Sequence, residues 1–193
     1  MRKVILASKS KARQALLKQV GLKFTVAESY VKESRALKRG CADLVIGNAL
    51  KKAKEVAGRF DSGLVIGADT VVSANGKIIG KPRNVKDAFK TIKILSKRPQ
   101  WVYTGIAVVD IDNRSVSKAY EKTRVYMRAL SDRQIRNYIK KARTLDKAGS
   151  FDIQGLGGFF IERIEGCFYN VVGLPLAKLG KILEEAGLDI LSY

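Results

Sequence analysis

The sequence predicts an α/β protein, because segments with strand character alternate with segments of helical character along its 193 residues. The central observation is Leu64–Ile66, an aliphatic run typical of a strand buried on both faces. A second observation is the Asn75–Gly76 pair, which favours a tight hairpin turn between Val71–Val72 and segment 77–80. With 46% hydrophobic and 28% charged residues, the chain suits a folded domain with a substantial core.

The strand at Leu64–Ile66 leads directly into polar residues. We expect the apolar run to stop at Gly67–Ala68, where Asp69 and Thr70 follow at once. A carboxylate set against a buried strand needs a partner, because burying it unpaired is costly. The hairpin then delivers two cations around a proline, in Lys81–Pro82–Arg83. The ribbon therefore gathers an acid, a hydroxyl and two cations, although a turn with a surface ion pair would contain the same residues.

The other elements are predicted from caps, apolar spacing and turn residues. Ser10, Asp43 and Asn84 are predicted helix N-caps, and the first helix is predicted to bury its apolar side, Ala12, Ala15, Leu16 and Val20. Strands are predicted at Lys3–Ala7, Phe24–Ala27, Trp101–Asp112 and Val116–Arg128, with a last hairpin of Phe159–Ile164 and Cys167–Val172. Helices are predicted at Ser10–Val20, from Asp43 to about Arg59, at Asn84–Ser96, from Ser131 onward, and at Leu176–Ala186.

Residue counts restrict the chemistry that this chain can perform. It contains no histidine, which excludes histidine-based triads, histidine general bases and the usual zinc sites. Cys41 and Cys167 lack CxxC spacing and are too few for a disulfide scaffold. Carboxylate oxygens would therefore hold any metal ion, and such ligands favour Mg²⁺ or a similar hard cation.

The formal net charge of +19 indicates an affinity for anions. The 37 Lys and Arg residues are spread along the chain, which favours non-specific attraction to polyanions over a dedicated readout surface. Aromatic residues such as Tyr103 and Tyr120 nevertheless leave open a nucleic-acid-binding module. The chain has no apolar run near the roughly 20 residues of a membrane span and no signal-peptide core, so we expect the cytoplasm.

Three segments carry candidate binding residues. In segment 8–13, Arg13 in the first helical turn opposes the helix dipole unless an anion binds there, which makes Ser8 and Arg13 candidates for phosphate binding. Lys52 borders an apolar helical stripe, from which it could reach inward. Segment 145–158 carries four glycines, which let backbone approach a ligand closely, together with the polar residues Asp146, Lys147 and Gln154.

Taken together, these segments resemble the Maf family of nucleoside triphosphate pyrophosphatases. The matching stretches follow in order along the chain: LASKSKAR at 6–13, Glu33, ALKKA at 49–53, GADTVV at 67–72, GKPR at 80–83, DKAGSFDIQG at 146–155 and VVGLPL at 171–176. The resemblance implies one domain over residues 1–193, with a long twisted mixed sheet flanked by helices and two lobes with a central cleft. It also implies hydrolysis of a nucleoside triphosphate to the monophosphate and pyrophosphate, with Mg²⁺ or Mn²⁺ as cofactor.

The resemblance also implies roles for individual residues. Asp69 would be the general base, and Glu33 and Asp69 would bind the metal ion. Substrate binding would fall to Ser8, Arg13, Lys52, Thr70, Lys81 and Gln154. Within the family, Thr70, Arg83 and Ile153–Gly155 are similar to the subgroup that acts on dTTP and UTP.

This chain departs from the family pattern in its first loop. The family shows S-x-S-P-R-R there, whereas this chain has Lys11 in place of proline and Ala12 in place of the first arginine. Ala12 therefore joins Thr70 and Gln154 as a position of substrate specificity. The alternatives are a non-catalytic nucleic-acid-binding module and a pyrophosphatase for modified purine triphosphates, and the oligomeric state, a homodimer included, is left open.

Overall fold

The computed structural model describes residues 2–37, 39–142, 145 and 147–191, which form a mixed sheet with helices. The strands are β1 (Val4–Leu6), β2 (Thr25–Val26), β3 (Leu64–Ala74), β4 (Lys77–Ile79), β5 (Gln100–Asp110), β6 (Ser115–Met127) and β7 (Ile161–Glu165). The α-helices are α1 (Lys11–Gln19), α2 (Cys41–Ala57), α3 (Val85–Leu95), α4 (Asp132–Lys141), α5 (Phe168–Val172) and α6 (Leu176–Glu185), with 3₁₀ turns at Ala148–Ser150 and Leu156–Phe160.

The sheet has the strand order β2-β1-β3-β5-β6-β7, and β4 pairs with β3. Strand β1 lies parallel to both β2 and β3, whereas β3 and β4 are antiparallel, as are β6 and β7. The parallel pairs are joined through helices, because a parallel connection has to cross over the sheet. The predicted α/β class with a mixed sheet flanked by helices is confirmed.

The chain divides into two compact units. The first unit comprises the described parts of 1–69, 104–121 and 173–193, and the second comprises those of 70–103 and 122–172. In the first unit, a core cluster joins β1, β3 and β5 to one face of α2: Ile5, Ala7, Ala49, Ala53, Val56, Val65 and Ala107. In the second unit, a core cluster includes residues of α3, α4 and the aromatic pair Tyr138 and Phe160. The central cleft and the single domain stay predictions.

Helix α2 lies unusually close to the sheet of the first unit because two strand positions are glycines. A Cβ atom at Gly67 would stand 2.2 Å from the Ala49 carbonyl oxygen, and one at Gly105 would stand 2.5 Å from the Val45 carbonyl oxygen. Both distances are shorter than any tolerable contact. These glycines therefore fix the height of α2 above β3 and β5.

The central ribbon differs from the prediction in one respect. Strand β3 runs without interruption through Gly67–Ala68, so the predicted stop there is wrong. Gly67 serves the close packing of α2 and does not break the strand. The hairpin is confirmed, with Asn75 and Gly76 both at positive φ, 52° and 71°, as a tight two-residue turn requires.

Two predictions about the first two helices need correction. On the predicted buried side of α1, Leu16 is buried as expected, whereas Ala15 and Val20 are exposed and Ala12 is half-buried; the helix also buries Arg13 and Leu17. The apolar spacing did not identify the whole buried face of α1, because that face includes the charged residue Arg13. Asp43 lies inside the first turn of α2, whose N-cap is Gly40.

The predicted hairpin of 159–172 is also wrong, because β7 pairs with β6 and residues Phe168–Val172 form α5. Asn170 in α5 is buried, and its Nδ2 donates to the Val102 carbonyl and to Thr123 Oγ1. These contacts stabilise the helical turn against the strand preference of its aromatic and branched residues.

Other start and stop signals are confirmed. The Ser10, Asn84 and Ser131 side chains accept hydrogen bonds from backbone N–H groups in the first turns of α1, α3 and α4. Helix α6 begins after Pro175 and is followed by Gly187 at φ 78°. Across the described residues, we find no helix with the length and apolar character that a membrane crossing requires.

Candidate functional site

Asp69 is a buried acid of the first unit, with 5% of its surface exposed. Its Oδ1 accepts a hydrogen bond from Lys52 Nζ at 2.8 Å, and its Oδ2 accepts one from Asn48 Nδ2 at 2.9 Å. Both donors come from α2, which the glycine contact brings close to β3. The requirement for a partner, inferred from the sequence, is therefore met by a cation and an amide.

Lys52 joins both predicted metal ligands. Its Nζ lies 2.5 Å from Glu33 Oε1 and 2.8 Å from Asp69 Oδ1, and it also donates to the Ala68 carbonyl at 3.3 Å. The Lys52 side chain is 10% exposed and that of Asp69 is 7% exposed, whereas the Glu33 side chain is 50% exposed. Within this network, the Glu33 carboxylate is thus open to solvent, whereas the Asp69 carboxylate is shielded from it.

Arg13 and Ser8 lie on the other side of the Ala68 carbonyl. Arg13 Nη1 donates to that carbonyl at 3.0 Å and to Ser8 Oγ at 3.1 Å, and Arg13 Nε donates to the Gly173 carbonyl at 2.8 Å. Burial lowers the pKa of the Arg13 guanidinium, while the charges of Asp69 and Glu33 act in the opposite direction. Arg13 and Lys52 share one acceptor, so two cations meet beside Asp69.

Asn48 belongs to this network and was missed by the sequence reasoning. It is 2% exposed and lies one helical turn before Lys52 on α2. Besides its bond to Asp69, its Nδ2 donates to the Ser34 carbonyl at 3.0 Å, and its Oδ1 accepts from the Ser34 N–H at 2.8 Å. The available signal was its position four residues before Lys52, on the helical face that packs inward.

The oxygen atoms that surround the Lys52 ammonium are the kind of metal ligand that suits a hard cation. Carboxylate oxygens of Glu33 and Asp69 and the carbonyl oxygen of Ala68 already surround one positive charge, that of the ammonium. Within the described part of the chain, no cluster of three or more acidic or cysteine side chains could hold a metal ion. Mg²⁺ commonly binds through one or two carboxylates and takes its other ligands from water and phosphate. The residues present therefore fit such an ion.

An open pocket of about 550 Å³ adjoins Glu33. Val31, Lys32 and Arg35 line it together with Glu33, and all four belong to the loop that precedes α2. Its wall therefore carries two cations and one carboxylate.

The predicted substrate-binding residues Thr70, Lys81 and Gln154 lie in the second unit. Thr70 is half-buried in β3, and Lys81, which follows β4, is exposed. Gln154 is exposed, and its backbone N–H donates to Asp152 Oδ1 at 3.0 Å. Arg83 forms a surface ion pair with Asp87 of α3 at 2.7 Å, whereas the acid of the ribbon, Asp69, is buried and pairs with Lys52. Asp146 lies outside the described residues.

The structure thus brings five of the predicted residues into one network in the first unit: Ser8, Arg13, Glu33, Lys52 and Asp69. Ala12 lies on α1 beside Arg13 and is half-buried. Thr70 follows Asp69 directly in β3.

Comparison with known proteins agrees with the motif resemblance. A family model described as Maf-like protein matches residues 3–186. The protein named dTTP/UTP pyrophosphatase of Methanosarcina barkeri is 45% identical over 98% of this chain and 97% of its own length. Proteins of the same name from Methanococcoides burtonii (98% of each chain) and Caldicellulosiruptor saccharolyticus (99% of this chain, 98% of its own) are 44% and 42% identical.

Among solved structures, the Staphylococcus aureus Ham1 protein is similar at 12% identity and a TM-score of 0.46, over 65% of this chain and 72% of its own. The family model covers nearly the whole sequence, and the relatives match it end to end. The chain belongs to the family of Maf-like proteins.

Proposed function

We propose that this chain hydrolyses nucleoside triphosphates, with dTTP and UTP as the best substrates, to the monophosphate and pyrophosphate. The observation that carries the proposal is the buried network in which two cations, Arg13 and Lys52, meet the carboxylates of Glu33 and Asp69. Such a set provides phosphate-binding charge, oxygen ligands and a base in one place. The choice of pyrimidine substrates is supported by relatives at 42–45% identity that are named dTTP/UTP pyrophosphatase.

Asp69 is the general base in this proposal. It takes a proton from water, whose oxygen forms a bond to the α-phosphorus while the bond from that phosphorus to the bridging oxygen breaks and pyrophosphate leaves. Lys52 and Asn48 each hold one carboxylate oxygen, so they orient Asp69 and leave further lone pairs on both oxygens. With no histidine in the chain, a carboxylate is the natural choice for this role.

Phosphate binding falls to Arg13, Lys52 and Lys81, with Ser8 as a hydroxyl donor. A triphosphate carries about four negative charges, and charge-assisted hydrogen bonds to such groups are the strongest available. Glu33 and Asp69 are the residues that would hold Mg²⁺ or Mn²⁺, which neutralises phosphate charge and stabilises the pyrophosphate leaving group when it is bound.

Recognition of the base falls to Gln154 and Thr70, with Ala12 as a third position that affects selectivity. Uracil and thymine present an acceptor O4 beside a donor N3–H, and an amide side chain offers the matching donor and acceptor. Cytosine presents the reversed pair, which a flipped amide also satisfies, so we expect CTP to be a weaker substrate rather than an excluded one. Purine triphosphates should be poor substrates, because two rings overfill the same slot.

The test is pyrophosphate release from ATP, GTP, CTP, UTP and dTTP, measured with Mg²⁺ and with excess chelator. We expect the highest kcat/KM for dTTP and UTP, and no activity in chelator until Mg²⁺ or Mn²⁺ is restored. In Gln154→Ala, the preference for these substrates should fall by roughly 1–3 kcal/mol. Gln19→Ala, at an exposed glutamine at the end of α1, is the matched control and should leave the preference unchanged.

Several outcomes would contradict parts of the proposal. Wild-type preference for ATP or GTP would overturn the pyrimidine assignment and favour a purine-directed enzyme. Full activity in excess chelator would remove the metal from the reaction. The cytoplasmic location stays a prediction, and the oligomeric state stays open.

A further inference from the structure

Helix α2 and the turn that follows it carry four polar side chains that share one partner: Asn48, Lys52 and Glu55 on the helix, and Arg59 two residues beyond its last residue, Ala57. The spacing of four and three residues places the first three one above another along the helix. Each of the four contacts the loop of residues 28–34, which contains Glu33. We name these four residues the α2 polar stripe.

The contacts follow the loop from one end to the other. Arg59 Nη1 donates to the Glu28 carbonyl at 2.9 Å, and Glu55 Oε2 accepts from the Tyr30 N–H at 3.3 Å. Lys52 then contacts the Glu33 carboxylate and Asn48 contacts the Ser34 backbone. The loop therefore runs antiparallel to α2, and side chains of the helix hold it.

Asn48 and Lys52 both bind the loop and Asp69, but Lys52 contacts the loop at the Glu33 side chain, whereas Asn48 contacts the loop backbone at Ser34. The Oδ1 and one N–H of Asn48 exchange two hydrogen bonds with the backbone of Ser34, and its other N–H donates to Asp69 Oδ2. The amide is planar and buried, so these three contacts fix the Ser34 backbone relative to the Asp69 carboxylate.

The ion pair of Glu33 with Lys52 cannot provide the same restraint. A lysine has a flexible four-carbon stem, and its ammonium can follow a displaced carboxylate. The Glu33 side chain is also half exposed, where such an ion pair contributes little. The position of Glu33 is therefore set through its neighbour Ser34 more than through its own charge.

We propose that Asn48 is a positioning residue that holds Glu33 beside Asp69, so that the two carboxylates can bind one divalent cation. This inference rests on the proposed function. It assigns Asn48 no contact with substrate or metal. Groups that orient metal ligands typically change metal affinity by about 10- to 100-fold when they are removed.

The test compares Asn48→Ala with wild type in three measurements. Amide hydrogen exchange of Ser34, followed by NMR without ligand, should speed up by about tenfold, because its N–H loses the bond to Asn48 Oδ1. The Kd for Mn²⁺, measured without nucleotide, should rise about 10- to 100-fold. With saturating nucleotide, the Mg²⁺ concentration for half-maximal kcat should rise in parallel, while KM for dTTP at saturating Mg²⁺ changes less.

The matched control is Asn170→Ala in α5. Asn170 is also a fully buried asparagine, and its Nδ2 also makes two hydrogen bonds, to the Val102 carbonyl and Thr123 Oγ1. We expect this variant to unfold more easily and to leave both Ser34 exchange and the Mn²⁺ Kd unchanged. A purely structural Asn48 would likewise leave the Mn²⁺ Kd unchanged.

Unchanged Ser34 exchange and an unchanged Mn²⁺ Kd in folded Asn48→Ala would overturn the inference. If that variant does not fold, Asn48→Leu restores the lost volume without the hydrogen bonds, and the same measurements apply. A wild-type protein that releases pyrophosphate from none of the triphosphates would refute the proposed function instead. The exchange and Mn²⁺ measurements would still decide the role of Asn48, because neither requires turnover.

Discussion

Asp69 shows how a single buried carboxylate is made stable and usable in the same place. Its two oxygens accept from different kinds of donor, the ammonium of Lys52 and the amide of Asn48. The charged donor offsets the cost of burying the acid, and the neutral donor fixes its orientation. An acid held in this way reacts from one defined position.

Replacing Asp69 with asparagine should preserve the fold and abolish hydrolysis. The amide is nearly isosteric but cannot take a proton, and the loss of a general base typically lowers the rate by ~10²–10⁴-fold. The measurement is pyrophosphate release with thermal unfolding as the check on folding. Asp61→Asn, at an exposed turn, is the control and should leave turnover unchanged. Wild-type turnover in Asp69→Asn would make Asp69 a structural acid.

At the residue scale, the sequence predicts which charged groups meet but not the neutral group that orders them. The motif positions Ser8, Arg13 and Lys52 could be anticipated from phosphate chemistry and from the family resemblance. Asn48 could not be singled out, because a polar residue inside a helix is ordinarily solvated. Its role depends on the distance between α2 and β3, which only the packing of the first unit determines.

At the scale of single elements, the position of α2 against the sheet determines the geometry of the site. Asn48 and Lys52 reach Asp69 only because Gly67 and Gly105 let the helix backbone approach the strands. A displacement of the helix would stretch both hydrogen bonds to Asp69 together. The geometry of Asp69 thus depends on Gly67 and Gly105, two residues that carry no side chain.

Gly67→Ala should therefore damage both stability and activity. The new Cβ would stand 2.2 Å from the Ala49 carbonyl oxygen, so α2 has to move. Overpacking of this kind costs about 1–3 kcal/mol, and a displacement of about 1 Å at a catalytic group can lower the rate by about 10²-fold. The measurements are the free energy of unfolding in urea and kcat.

The matched control for that prediction lies on the helix itself. A Cβ at Gly47 meets no atom within 4 Å, so Gly47→Ala removes a flexible residue from α2 without a clash. We expect it to raise the free energy of unfolding by roughly 0.5–1 kcal/mol and to leave kcat unchanged. If Gly67→Ala and Gly47→Ala had equal effects on the free energy of unfolding and on kcat, the site would not depend on the distance between α2 and the sheet.

Strands and helices were predictable where local signals and packing agree. The caps at Ser10, Asn84 and Ser131 and the turn at Asn75–Gly76 are local devices, and all four are confirmed. Segment 167–172 was mispredicted because its structure depends on Asn170 contacting Val102 and Thr123, which are distant in sequence.

At the scale of the whole molecule, the formal charge of +19 is the dominant property. Cations are also arranged over aromatic rings in the second unit, where Lys122 and Arg124 lie 5.3 and 5.6 Å from the Trp101 ring centre. Of the two tyrosines noted in the sequence, Tyr120 is 37% exposed, whereas Tyr103 is half-buried. These features support electrostatic attraction more than base stacking.

We therefore expect weak, salt-sensitive binding of nucleic acid without sequence preference. The measurement is fluorescence anisotropy of labelled oligonucleotides of unrelated sequence at several salt concentrations. The affinity should fall steeply as salt is raised and should be similar for all sequences. A tight complex that survives raised salt and distinguishes sequences would favour the nucleic-acid-binding module instead.

The α2 polar stripe also determines where this chain can tolerate changes in length. From Asn48 to its last residue, Ala57, α2 rises about 14 Å, and Arg59 lies two residues further on. The six residue steps from Glu28 to Ser34 span at most about 20 Å when extended. The loop therefore has little slack between these two anchors. A deletion before Ser34 would pull Glu33 out of register with Lys52, whereas one after Ser34 would leave that register intact. Natural insertions and deletions in this loop should accordingly be confined to the stretch between Ser34 and the start of α2.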